Sequence, residues 1–261
     1  MAWHFHPDIL AGLILIGLLY GAGLRRLRPD PPWLHPIETR HVTLFLLGLG
    51  LVYLAEGTPL HELSEQYLFS AHMVQHLLLV MVAAPLFLLG IPPWLLRPAL
   101  THRWVFPVLR LITSPIVAIA LFNGSLALWH VPNLYEAALQ DHNLHIFNHI
   151  TYLLAAFVMW WPVLSPLPEL PRIPYPAQML YLFVQSLVPA VLASMITFSE
   201  TVIYSSYAAA PRLWDVSPLA DQQMGGLIMK IVGSLILWSL VVWIFFIWYN
   251  HEETEVEKSW D

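Results

Sequence analysis

Cysteine is absent from the 261-residue chain. No disulfide scaffold can be built from it. Charge is scarce as well: Asp, Glu, Lys and Arg make up 11% of the residues, against about 25% in an average globular chain, too few to clothe a soluble surface. The balance is acidic, at a net −6, which speaks against nucleic-acid binding. Strict period-two alternation is missing, so a membrane β-barrel is not expected. No Lys or Arg precedes the first apolar run, and the amino terminus therefore lacks the pattern of a cleaved signal peptide. In place of these, 58% of the residues are hydrophobic, with 12 Trp and 10 Tyr, and the mean hydropathy is +0.64. That composition excludes disorder and describes a chain whose solvent is mostly the lipid bilayer. Against the poverty of charge stand thirteen histidines.

A bilayer core takes about 20 apolar residues per helix. Runs poor in charge predict an all-α, polytopic membrane protein of seven transmembrane helices, at about 9–24, 41–56, 67–90, 108–129, 143–164, 177–199 and 221–249, forming a single domain over 1–261. Pro85, Pro115, Pro162 and Pro189 fall inside or near the ends of these spans and predict kinks. Arg25, Arg26, Arg28, Arg40, Arg97, Arg103, Arg110, Arg172 and Lys258 all fall on one side of the bilayer, and only Arg212 on the other. The positive-inside rule then places the amino terminus outside and the carboxyl terminus inside. The outer half collects nine acids, among them Glu56, Glu62, Glu65, Glu136, Glu200 and Asp221. It also collects nine histidines: His4, His6, His61, His72, His76, His130, His142, His145 and His149. His35, His41, His102 and His251 are inner. An acidic outer face would attract cations and offer imidazoles to hold them.

Three constellations could carry chemistry. In Ala71-His72-Met73-Val74-Gln75-His76, at the outer end of the third span, the two imidazoles are four residues apart and share one helical face. Met73 could add a thioether. The bland reading is a pair of histidines hydrogen-bonded to neighbouring helices. His145 and His149 repeat the spacing at the start of the fifth span, with His142 a turn earlier, either as a ligand or as an interfacial residue wetted by headgroups. Two such pairs at equal depth supply four nitrogen ligands. In Asp221-Gln222-Gln223-Met224-Gly225-Gly226, opening the last span, Asp221 could be a ligand, an acceptor orienting a histidine, or an N-cap. Met224 could be a ligand or packing, and the paired glycines would let another helix approach closely. His130 and Glu56 are candidate peripheral members of the same site. Lys230, inside the last span, either snorkels outward or pairs with an acid such as Glu200.

The blocks Phe69-Ser70-Ala71-His72-Met73-Val74-Gln75-His76-Leu77-Leu78-Leu79, Trp129-His130-Val131-Pro132-Asn133-Leu134-Tyr135 with His145 and His149, and Asp221-Gln222-Gln223-Met224-Gly225-Gly226 occur in an order that resembles the CtaG-type cytochrome c oxidase assembly factors. These are the seven-helix membrane proteins associated with caa-type oxidases. Lys230 departs from the pattern, which often has an aromatic residue there. The resemblance implies an assembly factor or metallochaperone of the bacterial plasma membrane rather than an enzyme. Its partners would be haem-copper oxidase subunits and another copper donor, and it would supply copper to the oxidase's copper centre. Imidazoles with nearby thioethers suit copper, and the lack of cysteine excludes a thiolate relay. On this reading the metal ligands are drawn from His72, His76, His142, His145, His149, Asp221 and Met224. Two alternatives remain from the residues alone. Paired transmembrane histidines also hold b-type haem, with or without a quinone site, although electron transfer across the bilayer would want histidines at both depths. A metal-ion transporter would need a polar path to the inner face.

Overall fold

The computed structural model describes residues 6–30 and 37–258, with side chains as far as Glu253. His4, His35 and the side chain of Lys258 lie outside the described residues. Among the described residues the chain is wholly helical, and the first three elements are α1 (Pro7–Arg26), α2 (Thr39–Glu56) and α3 (Pro59–Gln66). The helix α4 runs over Phe69–Gly90, with a π-helical stretch at Leu78–Ala83. Next come α5 (Pro93–Leu100), α6 (Phe106–Ile112), α7 (Pro115–Trp129), α8 (Pro132–Gln140), α9 (His142–Leu164), α10 (Tyr175–Thr197) and α11 (Ser205–Ala209). The last helix, α12, consists of Pro218–Leu227, a π-helical turn at Ile228–Val232 and Gly233–Lys258.

Five of these, α1, α4, α9, α10 and α12, are each long and apolar enough to cross a membrane, and the bent pairs α2–α3 and α6–α7 raise the number to as many as seven. Their outward faces carry large exposed apolar side chains such as Leu18, Leu19, Ile116, Leu180, Val191, Met195 and Trp243. Such continuous apolar cover belongs in lipid and fits a polytopic membrane protein.

The fourth expected span, over 108–129, is bent where Pro115 predicts a kink, and the bend is large enough to divide it into two helices. The chain breaks between α6 and α7 with a bend of 74°, because Ser114 precedes a proline and is held in extended backbone (φ −65°, ψ 142°). Pro115 then opens α7 at the position where its missing N–H costs nothing. The π stretch in α4 is stabilised from outside the helix: the Trp160 indole Nε1–H donates to the Val80 carbonyl at 2.7 Å. Pro162 sits in the last turn of α9, and its carbonyl accepts from Ile173 N–H at 3.0 Å, tying the loop before α10 to the end of α9.

The paired glycines set the position of α12. A Cβ at Gly225 would run into the Phe69 ring of α4, and one at Gly226 would meet the Ala193 carbonyl and the Thr197 backbone N of α10, each at 2.9 Å. Only the missing side chains let α12 lie this close to both helices. The core behind them is dominated by Phe69, Met73, Phe122, Leu126, Tyr152, Met159, Trp160 and Leu182.

Candidate functional site

The short helix α3 opens with a side-chain cap, Thr58 Oγ1 accepting from Leu60 N–H at 3.3 Å, and with Pro59 in its first turn. One turn of helix then places His61 beside Glu65. His61 Nε2 lies 3.1 Å from Glu65 Oε1 and His61 Nδ1 lies 3.3 Å from Glu56 Oε2 at the end of α2. From α9, His145 Nε2 approaches the same Glu65 oxygen at 2.6 Å, and His149 Nδ1 approaches Glu56 Oε1 at 2.8 Å. Two carboxylates thus knit three imidazoles from two helices into one cluster. His61, Glu65 and His145 each offer a ligand atom, and these atoms lie within 4.8 Å of one another. Three donors so placed are compact enough for one ion with metal–ligand bonds of about 2 Å. Gln75 holds the cluster from below: fully buried on α4, its amide nitrogen reaches the Ala55 carbonyl at 3.0 Å, Glu56 Oε2 at 3.1 Å and His61 Nδ1 at 3.2 Å. Its amide oxygen accepts from Ser64 Oγ at 2.7 Å. An open cleft of about 340 Å³, lined by His6, Glu56, His61, Glu65, His145 and His149, gives access to these donors.

From the cluster the imidazoles continue into the bundle. Ring centroids are 5.9 Å apart for His61 and His145, 4.3 Å for His145 and His149, 5.5 Å for His149 and His76, and 4.2 Å for His76 and His72. The two small separations are the four-residue spacings on α9 and α4. The 5.5 Å step is where the two helices face each other. Along this row His149 Nε2, both ring nitrogens of His76, and His72 Nδ1 are buried without a hydrogen-bond partner. An unpaired polar atom in a low-dielectric interior is costly, so a set of them on one row marks a candidate site for a ligand or for bound water. Above His72 the row is closed by aromatic residues: Tyr135 lies 5.2 Å from it, and Phe69 stacks on Tyr204 at 5.0 Å. Tyr135 and Tyr207 share a 2.9 Å hydrogen bond, and Tyr207 donates to the Ser64 carbonyl at 2.6 Å. Burial raises the pKa of both phenols, so they act here as neutral hydrogen-bonding groups.

Comparison with known proteins assigns this framework to a family. The model of the cytochrome c oxidase caa3 assembly factor family (Caa3_CtaG) matches residues 18–251. The chain belongs to that family. It is also similar to uncharacterized proteins of Mycobacterium bovis and Mycobacterium tuberculosis, each 26% identical over 264 residues, covering 91% of this chain and 39% of theirs. An uncharacterized protein of Mycobacterium leprae is 26% identical over 243 residues, covering 87% of this chain and 36% of its own. The chain therefore spans about two fifths of the length of the curated relatives it matches. No solved structure matches it.

Within this member of the family, the residues singled out from sequence take three different places. His72, His76, His145 and His149 come together in the row. Asp221 is buried, but its carboxylate serves α4: one oxygen accepts from Phe69 N–H at 2.6 Å, the other from Ser70 N–H at 3.2 Å and from the Ser70 hydroxyl. The residue before α4, Leu68, has no side-chain cap to offer, so α12 supplies the cap from across the bundle. The N-cap of α12 itself is Ser217, which accepts from Ala220 N–H at 3.2 Å. Gln222 and Gln223 hold the loop after α10 through Ile203 N–H, the Thr201 carbonyl and the Ser199 carbonyl. Met224 is 54% exposed and not part of the buried row, and His142 is exposed at the mouth of the cleft. Lys230 places its Nζ 5.6 Å from the centre of the Phe198 ring, just past the end of α10, in a cation–π contact.

Two residues central to the cluster had no role assigned from sequence, His61 and Glu65, and Glu56 had only a peripheral one. The segment that carries the first two reads as a polar connection between apolar spans. The available signal was local: Thr58-Pro59 is a helix-start pattern, and His61 and Glu65 are four apart behind it.

The Asp221 contact has a measurable consequence. Asp221→Ala leaves two buried N–H groups of α4 unsatisfied and is expected to destabilise the protein by about 2 kcal/mol, with Asp221→Asn losing less. Thermal melts of the purified variants in detergent provide the check, and equal melting points for Asp221→Ala and the parent would dismiss the cross-helix cap.

Proposed function

We propose that the chain handles copper during oxidase assembly, taking it up at the Glu56, His61, Glu65 and His145 cluster on the outer face and passing it along the imidazole row toward a haem-copper oxidase. The observation that carries this reading is the row itself: five imidazoles from α3, α4 and α9 at successive ring separations of 4.2 to 5.9 Å, headed by two carboxylates. Carboxylates at the mouth attract a cation and offset its charge as it loses water. Imidazole nitrogens bind copper more tightly than other divalent first-row ions, by the Irving–Williams order. Neighbouring rings at these distances let an ion gain one ligand before it gives up another, so no step leaves it bare. Family membership supports an oxidase as the destination, and the charge asymmetry supports an orientation with the amino terminus and the cluster outside and the carboxyl terminus inside. The oxidase's copper-bearing subunit would dock at the outer half of the bundle and accept the ion. A separate copper donor on the outer face would load the cleft.

The test is direct. Protein purified in detergent, titrated with copper and analysed for bound metal, is expected to hold on the order of one or two copper ions. A host lacking the chain is expected to make an oxidase with its haem in place and its copper depleted. Stoichiometric iron with an intense Soret band would replace this reading with the haem one, and a full copper complement in the oxidase of the deletion host would remove the assembly role in copper delivery.

A further inference from the structure

A second donor set lies deeper along α4, past His76. A narrow cavity of about 40 Å³ opens there between α4, α7, α10 and α12, and its lining carries the thioethers of Met73, Met81 and Met229, the imidazoles of His76 and His130, and the hydroxyl-bearing Tyr152, Ser186 and Ser234. Both histidines are more than nine-tenths buried, with 8% and 7% of their surface exposed. His76 has no partner at either ring nitrogen and His130 none at Nε2. The other nitrogen of His130 is engaged, Nδ1 lying 2.8 Å from the Leu126 carbonyl. That contact fixes the tautomer with the proton on Nδ1 and leaves a lone pair on Nε2, the arrangement in which a neighbouring group presets a metal-binding imidazole.

The backbone is irregular in two places around this cavity. The π-helical stretch at Leu78–Ala83 carries Met81, and the π-helical turn at Ile228–Val232 carries Met229. A π turn admits an extra residue and alters which side chains face a given neighbour, at a cost in helix geometry that proteins accept mostly at functional sites. Here both deviations deliver a methionine to the same cavity.

The volume admits a single ion or a few water molecules. Water would satisfy the imidazole nitrogens and the nearby hydroxyls of Tyr152, Ser186 and Ser234 but gain little from three thioethers, which are weak acceptors; a soft ion uses the thioethers and the imidazoles together. Soft thioethers with imidazole favour Cu(I). Charge points the same way: no carboxylate lines this cavity, so a monovalent ion is tolerated in the apolar interior far better than a divalent one. The outer cluster, with its two carboxylates, has the opposite preference.

We propose that this cavity is a second, buried site for a soft monovalent metal ion, held by His76, His130 and the thioethers of Met81, Met229 and Met73. The identity of that ion as Cu(I) rests on the copper reading above, whereas the soft monovalent class rests on the donors alone. His76, which belongs both to the imidazole row and to the cavity lining, joins the two sites.

The experiment uses the full chain in detergent, titrated anaerobically with Cu(I) against a chromophoric chelator and separately with Ag(I), a redox-inert ion of the same class, with X-ray absorption reporting sulfur in the metal's shell. Met81→Leu combined with Met229→Leu conserves side-chain volume and is expected to weaken Ag(I) and Cu(I) binding at least tenfold and to cut the sulfur signal to at most that of the one remaining thioether, Met73. Glu65→Ala combined with His145→Ala is expected to leave both intact. His130→Leu, with a melting point close to the parent's, is a second probe and should also weaken Ag(I) at least tenfold. Unchanged Ag(I) affinity and stoichiometry in the double methionine variant would overturn the proposal. Protein that ignores divalent copper, from a host whose oxidase keeps its copper without it, yet still takes up Ag(I) with sulfur ligation, would end the assembly reading and leave this site standing.

Discussion

Replacing Glu65 and His145 together by alanine is expected to lower the affinity of the purified protein for divalent copper by about 100-fold or more, and to leave a host carrying only that variant with an oxidase short of copper. The magnitude follows from what each residue contributes. Glu65 Oε1 is the point on which His61 and His145 converge, at 3.1 and 2.6 Å, and losing it removes a ligand atom and the charge that offsets an incoming cation. His145 is the only one of the three compact donors that comes from α9, so without it the cluster no longer joins two helices. Mutating a residue that merely orients a ligand already costs about 10 to 100-fold in metal affinity; losing two ligand atoms should exceed that. Gln75→Leu provides the graded comparison. It leaves all three ligands but frees His61 and Glu56 from the amide that spaces them, and about a tenfold loss is expected. Isothermal titration of detergent-purified variants against a competing chelator, with oxidase copper measured in the host, reads both levels. Parent-like affinity in the Glu65 and His145 double variant would show that copper, if bound at all, is held elsewhere.

Gly226→Leu is expected to prevent the bundle from assembling. A Cβ at this position already lies 2.9 Å from the Ala193 carbonyl and the Thr197 backbone N, and these are helix backbone atoms that cannot swing aside as a side chain would. Overpacking a well-fitted interior costs about 1 to 3 kcal/mol when side chains can adjust, and more is expected here because α10 and α12 must separate as whole helices. Separation would also pull Asp221 from the N-terminus of α4 and so disturb the orientation of His72 and His76. The variant should give little monodisperse protein in detergent and a large drop in melting temperature. Gly12→Leu is the control: a Cβ there meets nothing within 4 Å. A Gly226→Leu protein as stable as that control would refute the close contact between α10 and α12.

The apolar runs and the scarcity of charge made the helical membrane architecture legible without coordinates, because a chain in lipid must satisfy its backbone hydrogen bonds within each helix. Hydropathy ran the span over 108–129 through Ser114, whereas Pro115 had marked a kink there, and the restriction a proline places on the preceding residue accounts for the size of the break. The four-residue spacings of His72 with His76 and His145 with His149 were equally readable, since a helix puts such pairs on one face.

What the sequence could not decide is which faces meet. That His76 stands opposite His149 depends on how α4 packs on α9, and that packing is set by large buried side chains such as Tyr152 and Trp160, whose fit is a property of the three-dimensional core. Asp221 illustrates the same limit. Its spacing allowed a ligand or a local cap, and only the approach of α12 to α4, permitted by Gly225, turned it into a cap for a helix 151 residues away. His61 and Glu65 show it most clearly: on a segment too short and polar to count as a span, they acquire a role only when α3 folds back beside α9. Local pattern therefore determined the helices and the matched histidine pairs, through interactions that reach no further than a few residues. Tertiary packing alone selected the donors that share a site, because metal-binding distances of a few ångströms are fixed by contacts between helices distant in the chain.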